Sequence, residues 1–166
     1  MNIDDLVRAI EGMRPDIDEL WNIINYYNQI LIVGNGGSNA IASHAASDFT
    51  NVLRKNAQAF TDATMLTCYI NDYGMENAYL QWLQRFDPDI DTLVILISSS
   101  GNSENVVNCA NWCRDDAVPF ITLSGFDKNN KLKSVEGAEL NMWVNSKSYG
   151  IVECVHMIFL HSVIDI

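Results

Sequence analysis

The chain has 166 residues, of which 10 are lysine or arginine and 21 are aspartate or glutamate, giving a formal net charge of −11. That length fits one domain with a sizeable core, and so acidic a balance disfavours nucleic-acid binding through a broad basic surface. With 48% hydrophobic and 19% charged residues the composition is that of a soluble globular protein; no apolar run reaches bilayer-spanning length, and the start lacks a signal-peptide pattern. Cys68, Cys109, Cys113 and Cys154 form no CxxC pair and read as reduced thiols, so a cytoplasmic single domain over 1–166 is expected.

Residues 1–28 form an N-terminal helical region, with Ile3, Leu6, Ile10, Ile17, Leu20, Ile23, Ile24 and Tyr27 at helical spacing and Pro15 interrupting or restarting it. Ile30-Leu31-Ile32-Val33 is a β-branched run stopped by Gly34-Asn35-Gly36-Gly37-Ser38, after which helical spacing extends to about Arg54. The stretch from Met65 to Ile70 fits either strand or helix, and Met75 to Phe86 fits a helix. The apolar run Leu93 to Ile97 leads into Ser98-Ser99-Ser100-Gly101-Asn102-Ser103 and a helix to about Asp116. Phe120 to Leu123 reads as a strand ending at Ser124-Gly125, Leu140 to Val144 as a last strand, and Tyr149 to about Ile164 as a closing helix. Apolar runs without alternation, separated by helices, predict an α/β fold: a three-layer α/β/α sandwich around a mainly parallel five-stranded sheet. Ligands of such sheets bind beyond the carboxyl ends of the strands, where both small-residue loops fall.

The first loop supplies unobstructed backbone N–H groups at the start of a helix whose dipole favours an anion. It lacks the Gly-Lys-Ser/Thr of a Walker A loop, and the third glycine position of the dinucleotide fingerprint is taken by Asn39. The second loop adds hydroxyl donors, with Ser103 at an N-cap position. Two neutral, hydroxyl-rich nests suit a compact phosphate monoester better than a polyphosphate needing Mg²⁺ and lysine.

His44 and Asp48 are four residues apart on the helix after the first loop and share a face. Glu153, His156 and His161 lie on the last helix, and imidazoles and carboxylates from two helices make either a Zn²⁺ site or an acid–base pair. Glu153 and His161 stand about 12 Å apart along a helix axis, so spacing alone favours His156 as the companion of Glu153. Asp72 fits either an Asx-type turn or a substrate hydroxyl. Arg54 and Lys55 read as surface charges at a helix end, Cys109 and Cys113 as core, and Trp82, Trp112 and Trp143 as core or interface.

The two loops, each after a hydrophobic strand, with Asn71-Asp72-Tyr73-Gly74 between them and Glu153, His156 and His161 near the C-terminus, resemble the sugar isomerase (SIS) domain family. Within that family the pattern is similar to the phosphoheptose isomerases, over almost the whole chain and in the right order. The resemblance implies a flavodoxin-like α/β/α sandwich, a sugar-phosphate substrate and a homotetramer with active sites at subunit boundaries. It implies an aldose–ketose isomerase interconverting sedoheptulose 7-phosphate and glycero-manno-heptose 7-phosphate through an enediolate. Substrate binding falls on Asn35, Gly36, Gly37, Ser38, Ser98, Ser99, Ser100 and Ser103, with Asp72 on a sugar hydroxyl.

The family's zinc ligands are His, Glu, Gln and His, and they fall on His44, Asp48, Glu153 and His161. Its glutamate base falls on Asp48, its general acid on His161, and the resemblance thus selects His161 over His156. Asp48 is one methylene shorter than glutamate, and Glu153 carries a charge where the family has a neutral amide. Either carboxylate is therefore a candidate base. The competing readings are a non-catalytic SIS protein that senses a sugar phosphate or binds a protein, and an isomerase for another phosphosugar.

Overall fold

The strands with the longest apolar runs occupy the centre of a single sheet. In the computed structural model, which describes residues 2–164, the strands are β1 (Gln29–Gly34), β2 (Asn56–Ala59), β3 (Thr92–Ser98), β4 (Phe120–Ser124) and β5 (Leu140–Trp143). Their order is β2-β1-β3-β4-β5 and every neighbouring pair is parallel. This is the flavodoxin-like order, whose topological switch point lies between β1 and β3.

Side chains alternate across the sheet into two cores. Ile30, Ile32, Leu93, Ile95, Ile97, Ile121 and Leu123 pack against α1 (Ile3–Met13), α2 (Ile17–Tyr26), α3 (Gly37–Asn51) and α7 (Tyr149–His161). Leu31, Val33, Val94, Leu96 and Phe120 pack against α4 (Ala63–Tyr73), α5 (Ala78–Gln84) and α6 (Glu104–Asp115). Cys109 and Cys113 are fully buried in the second core, and Trp82 stacks there on Phe60 with ring centroids 5.2 Å apart. Burial raises the thiol pKa of both cysteines. No described helix is long and apolar enough to cross a membrane.

Several elements differ from the sequence expectation. The fifth strand is β2, not the stretch from Met65 to Ile70, which is helical within α4. Asp62 caps that helix, its Oδ1 accepting from the Met65 N–H at 2.7 Å, and Tyr69 turns into the core between the half-buried Leu66 and Ile70. Asn56-Ala57-Gln58-Ala59 has no β-branched residue because an edge strand needs little apolar surface, and β2 pairs only with β1. Helix α3 stops at Asn51 because Arg54 takes the left-handed region at φ 61°, turning the chain into β2. Lys55 then donates to the Asn25 carbonyl at 2.8 Å, tying down the last turn of α2 at the amino edge of the sheet, far from any phosphate nest. Pro15 sits in a 3₁₀ turn, Arg14–Asp16, that joins α1 to α2, and α7 ends at His161 rather than near Ile164.

Candidate active site

Loops after β1 and β3 flank the switch point and build a small pocket of about 160 Å³. Asn35, Ser38, Ser98, Ser99, Ser100, Ser103, Tyr149 and Glu153 line it. Its first wall is the start of α3, where Gly36 adopts φ 53° at the N-cap, a conformation costly for side chains larger than glycine. Its second wall is the serine loop, turned by Gly101 at φ 65° and closed by a bond from the Gly101 N–H to the Ser98 carbonyl at 2.9 Å. Ser103 occupies the N-cap position of α6, yet its hydroxyl makes no cap bond. It accepts from the Ser98 hydroxyl at 3.1 Å instead. The buried Ser99 hydroxyl has no protein partner. The site thus presents hydroxyls and two helix N-termini to one small volume, a donor set suited to a phosphate group and too small for a nucleotide.

Two further residues hold this arrangement, and sequence reasoning does not single them out. Asn105, in the first turn of α6, exchanges two amide hydrogen bonds with Asn35, at 2.9 and 3.0 Å, so the loops are bolted together. Tyr79 donates its hydroxyl to the Gly34 carbonyl at 2.6 Å, fixing α5 to the end of β1, and burial pushes its pKa up to about 12. The legible signal for Asn105 is a polar residue beside Val106 and Cys109 on the buried side of α6.

A second cluster forms where α3 meets the end of α7. The Asp48 Oδ2 lies 3.0 Å from His161 Nε2 and 3.3 Å from His44 Nε2, and the two imidazoles meet edge to face at 4.7 Å. Ligand atoms from these three residues lie within 4.8 Å of one another. Two imidazoles and a carboxylate are the donor chemistry of zinc, so the residues fit that metal.

Glu153 is not part of that cluster. It lies two turns earlier on α7, lines the serine pocket and packs over Gly37, where a Cβ would come within 2.4 Å of its Oε1. His156 is fully buried with Nε2 3.2 Å from the Ser124 carbonyl, and burial lowers its pKa to about 4. It joins α7 to the end of β4 and takes no part in the cluster. Asp72 stands on the exposed side of α4, where Asn71 and Cys68 donate to it, so the Asx-turn alternative is replaced by a helical position and the residue is absent from the pocket wall. A larger hollow of about 610 Å³ between α1 and residues 143–151 is lined by Trp143 but by none of the expected catalytic, substrate-binding or metal residues.

The chain belongs to the SIS domain family: the family's domain pattern matches residues 10–125. Among its curated relatives, the phosphoheptose isomerase of Fusobacterium nucleatum subsp. nucleatum is 32% identical over 152 residues, covering 89% of this chain and 76% of that protein. The phosphoheptose isomerase of Aliarcobacter butzleri is 30% identical over 173 residues, covering 98% of this chain and 89% of that protein. The solved structure of a phosphoheptose isomerase from Neisseria gonorrhoeae superposes with a TM-score of 0.89 at 24% identity, covering 98% of this chain and 90% of that one. That likeness confirms the fold.

Proposed function

We propose that this chain, a single SIS domain, is a phosphosugar aldose–ketose isomerase that interconverts sedoheptulose 7-phosphate and glycero-manno-heptose 7-phosphate. The observation that carries the reading is the Asp48–His161 pair at 3.0 Å, set along the same two helices, α3 and α7, that wall the serine pocket. From Ser38 to Asp48 is about 15 Å along α3, and from Glu153 to His161 about 12 Å along α7. A linear sugar with its phosphate at C7 and its reacting carbons at C1 and C2 suits two sites so separated. A SIS protein that only senses a sugar phosphate has no need of the acid–base pair.

The phosphate is held by Ser38, Ser98, Ser99, Ser100 and Ser103, with Asn35 and the backbone N–H groups of Gly36 and Gly37. In the ketose-to-aldose direction Asp48 takes a proton from C1, leaving an enediolate, and a proton returns at C2. His161 moves the proton between the C1 and C2 oxygens. His44, Asp48 and His161 would hold Zn²⁺, which would polarise the substrate carbonyl and stabilise the enediolate oxygen, while Glu153, at the serine pocket, stands outside that ligand set. Ile3 and Val7 on α1 and Met65 and Tyr73 on α4 are exposed apolar side chains, which supports a homotetramer in which α4 carries Asp72 to a neighbour's sugar hydroxyls. The setting proposed is the cytoplasm.

The test is turnover of sedoheptulose 7-phosphate by wild type, Asp48→Asn and Glu153→Gln. Asp48→Asn should abolish isomerisation while sugar-phosphate binding persists, and Glu153→Gln, the family's own residue, should keep activity. Loss of activity in Glu153→Gln with Asp48→Asn still active would move the base to Glu153. A wild type that binds the sugar phosphate without turning it over would favour the sensing protein.

A further inference from the structure

We propose that the lysine-bearing turn after β4, residues 127–134, is the cationic wall of the serine pocket, with Asn130 as the peg that seats it and Lys131 as its principal charge. This rests on reading the serine pocket as a phosphate site. The pocket's own donors are neutral, while Glu153 lines it and Glu104 follows directly on Ser103. In a chain of net charge −11, a dianion entering there meets no cation in the pocket lining, so cations just outside it would add to its attraction.

Most of the ten basic residues are committed or remote. Arg8 pairs with Asp5, Arg114 with Asp115, Lys55 with the Asn25 carbonyl, and Arg85 lies over the Tyr69 ring at 5.2 Å. Arg14 belongs to the turn after α1, and Arg54 lies at the amino edge of the sheet. The remaining cations are Lys128, Lys131, Lys133 and Lys147, and all lie in the loops that leave the carboxyl ends of β4 and β5. Residues 127–134 carry three of these lysines against one aspartate.

This turn is anchored on both sides. The Asn130 side chain, 2% exposed, donates from Nδ2 to Ser124 Oγ at 3.1 Å, to the Gly125 carbonyl at 3.2 Å and to the Asp127 carbonyl at 2.9 Å. Its Oδ1 accepts from the Lys133 N–H at 2.9 Å. Towards the serine loop, the Lys131 N–H donates to Asn102 Oδ1 at 3.2 Å and the Leu132 N–H to the Gly101 carbonyl at 2.8 Å. A Cβ on Gly101 would come within 2.0 Å of Asn130 Oδ1, so the absence of a side chain there lets the peg seat. Asn102 in turn bonds Ser100, its N–H to Oγ at 3.2 Å and its Nδ2 to the carbonyl at 3.0 Å. One side chain thus separates the Lys131 backbone from a pocket-lining serine. A lysine charge acts across such a gap, which is on the order of the ~10 Å Debye length at 0.1 M salt. Its flexible four-carbon stem lets the ammonium follow an incoming dianion without a fixed contact.

Calorimetric titration of the full chain with inorganic phosphate, at low and high ionic strength, tests this. Lys131→Gln should weaken phosphate binding by about three- to tenfold at low salt and flatten its salt dependence, as removal of one nearby unit charge requires. Lys131→Arg should retain wild-type affinity, and Arg54→Gln, on the opposite edge of the sheet, should change nothing. Equal affinity and equal salt dependence in wild type and Lys131→Gln would overturn the cationic wall and leave the phosphate pocket standing. Absence of phosphate binding by wild type, or binding indifferent to Ser103→Ala, would remove the pocket reading and this proposal with it.

Discussion

Asn35 and Asn105 exchange both of their amide hydrogen bonds, each Nδ2 donating to the other's Oδ1, at 2.9 and 3.0 Å. Asn35 belongs to the loop after β1, and Asn105 to the first turn of α6 after β3. The pair spans the switch point and ties the two walls of the serine pocket directly to each other. A pocket of hydroxyls gains from such preorganisation, because each donor is neutral and its contribution depends on aim.

Removing the buried Asn105 side chain leaves the half-buried Asn35 amide without its complement. Asn105→Ala should cost about 1 kcal/mol of stability, as for loss of a partly solvated hydrogen bond, and should weaken sugar-phosphate binding as well. Urea denaturation and calorimetry on the same variant check both effects. Wild-type stability together with wild-type affinity would show that the loops do not depend on the bolt.

Gly37 makes room for the Glu153 carboxylate, which a Cβ would meet at 2.4 Å. The group it would strike is the end of a flexible side chain, and Gly37 opens α3 outside the left-handed region, so Gly37→Ala should fold with stability within about 1 kcal/mol of wild type. Its effect should fall on function, since Glu153 has to leave the pocket wall. Isomerase kinetics should register a loss in kcat/KM with little change in melting temperature. A large loss of stability with unchanged kinetics would contradict this.

How much of this was legible in the sequence follows from what each element has to bury. All seven residues of β3 are buried, and that uninterrupted apolar run reads plainly as a central strand. β2 is obscure because an edge strand with one neighbour tolerates Asn56-Ala57-Gln58-Ala59, which carries no pattern. The serine and glycine loops are legible because their composition is itself the chemistry. The Asp48–His161 contact joins residues 113 positions apart, and only the family resemblance, not spacing, pairs them in the sequence. Spacing points to His156 instead, and the structure sends that ring into the core. Asn105 and Asn130 escape notice because asparagine is common near helix starts and turns, and their partners are set by the packing of distant loops.

His156 makes a specific contribution to acid sensitivity. It is fully buried, and burial lowers its pKa from 6.5 to about 4, so between those values the unfolded chain binds a proton that the folded chain refuses. Stability therefore falls as pH drops below about 6.5 and stops falling from this source near pH 4, a loss on the order of 3 kcal/mol. Urea unfolding from pH 7.5 down to 4.5 should show the decline in wild type and a flatter limb in His156→Asn. Parallel limbs in the two proteins would mean that carboxylates alone set the acid sensitivity.

The cluster of His44, Asp48 and His161 leads to the last expectation. Two imidazole nitrogens and a carboxylate oxygen from these residues lie within 4.8 Å of one another, close enough to share one zinc ion. Zinc at one hundred times its dissociation constant should stabilise the fold by about 2.7 kcal/mol, which for a chain of this size is a melting shift of roughly 5–10 °C. His161→Ala should abolish that shift, because it removes one imidazole and leaves Asp48 with a single partner 3.3 Å away. Glu153→Gln should weaken zinc binding only modestly, since the carboxylate lies at the serine pocket and its replacement keeps an oxygen donor. Thermal melts with and without zinc, run on these variants, separate the contributions. A wild-type melting temperature indifferent to zinc at pH 7.5 would leave the Asp48–His161 contact as an acid–base pair with no metal role, and a shift that survives His161→Ala would put the ion elsewhere on the chain.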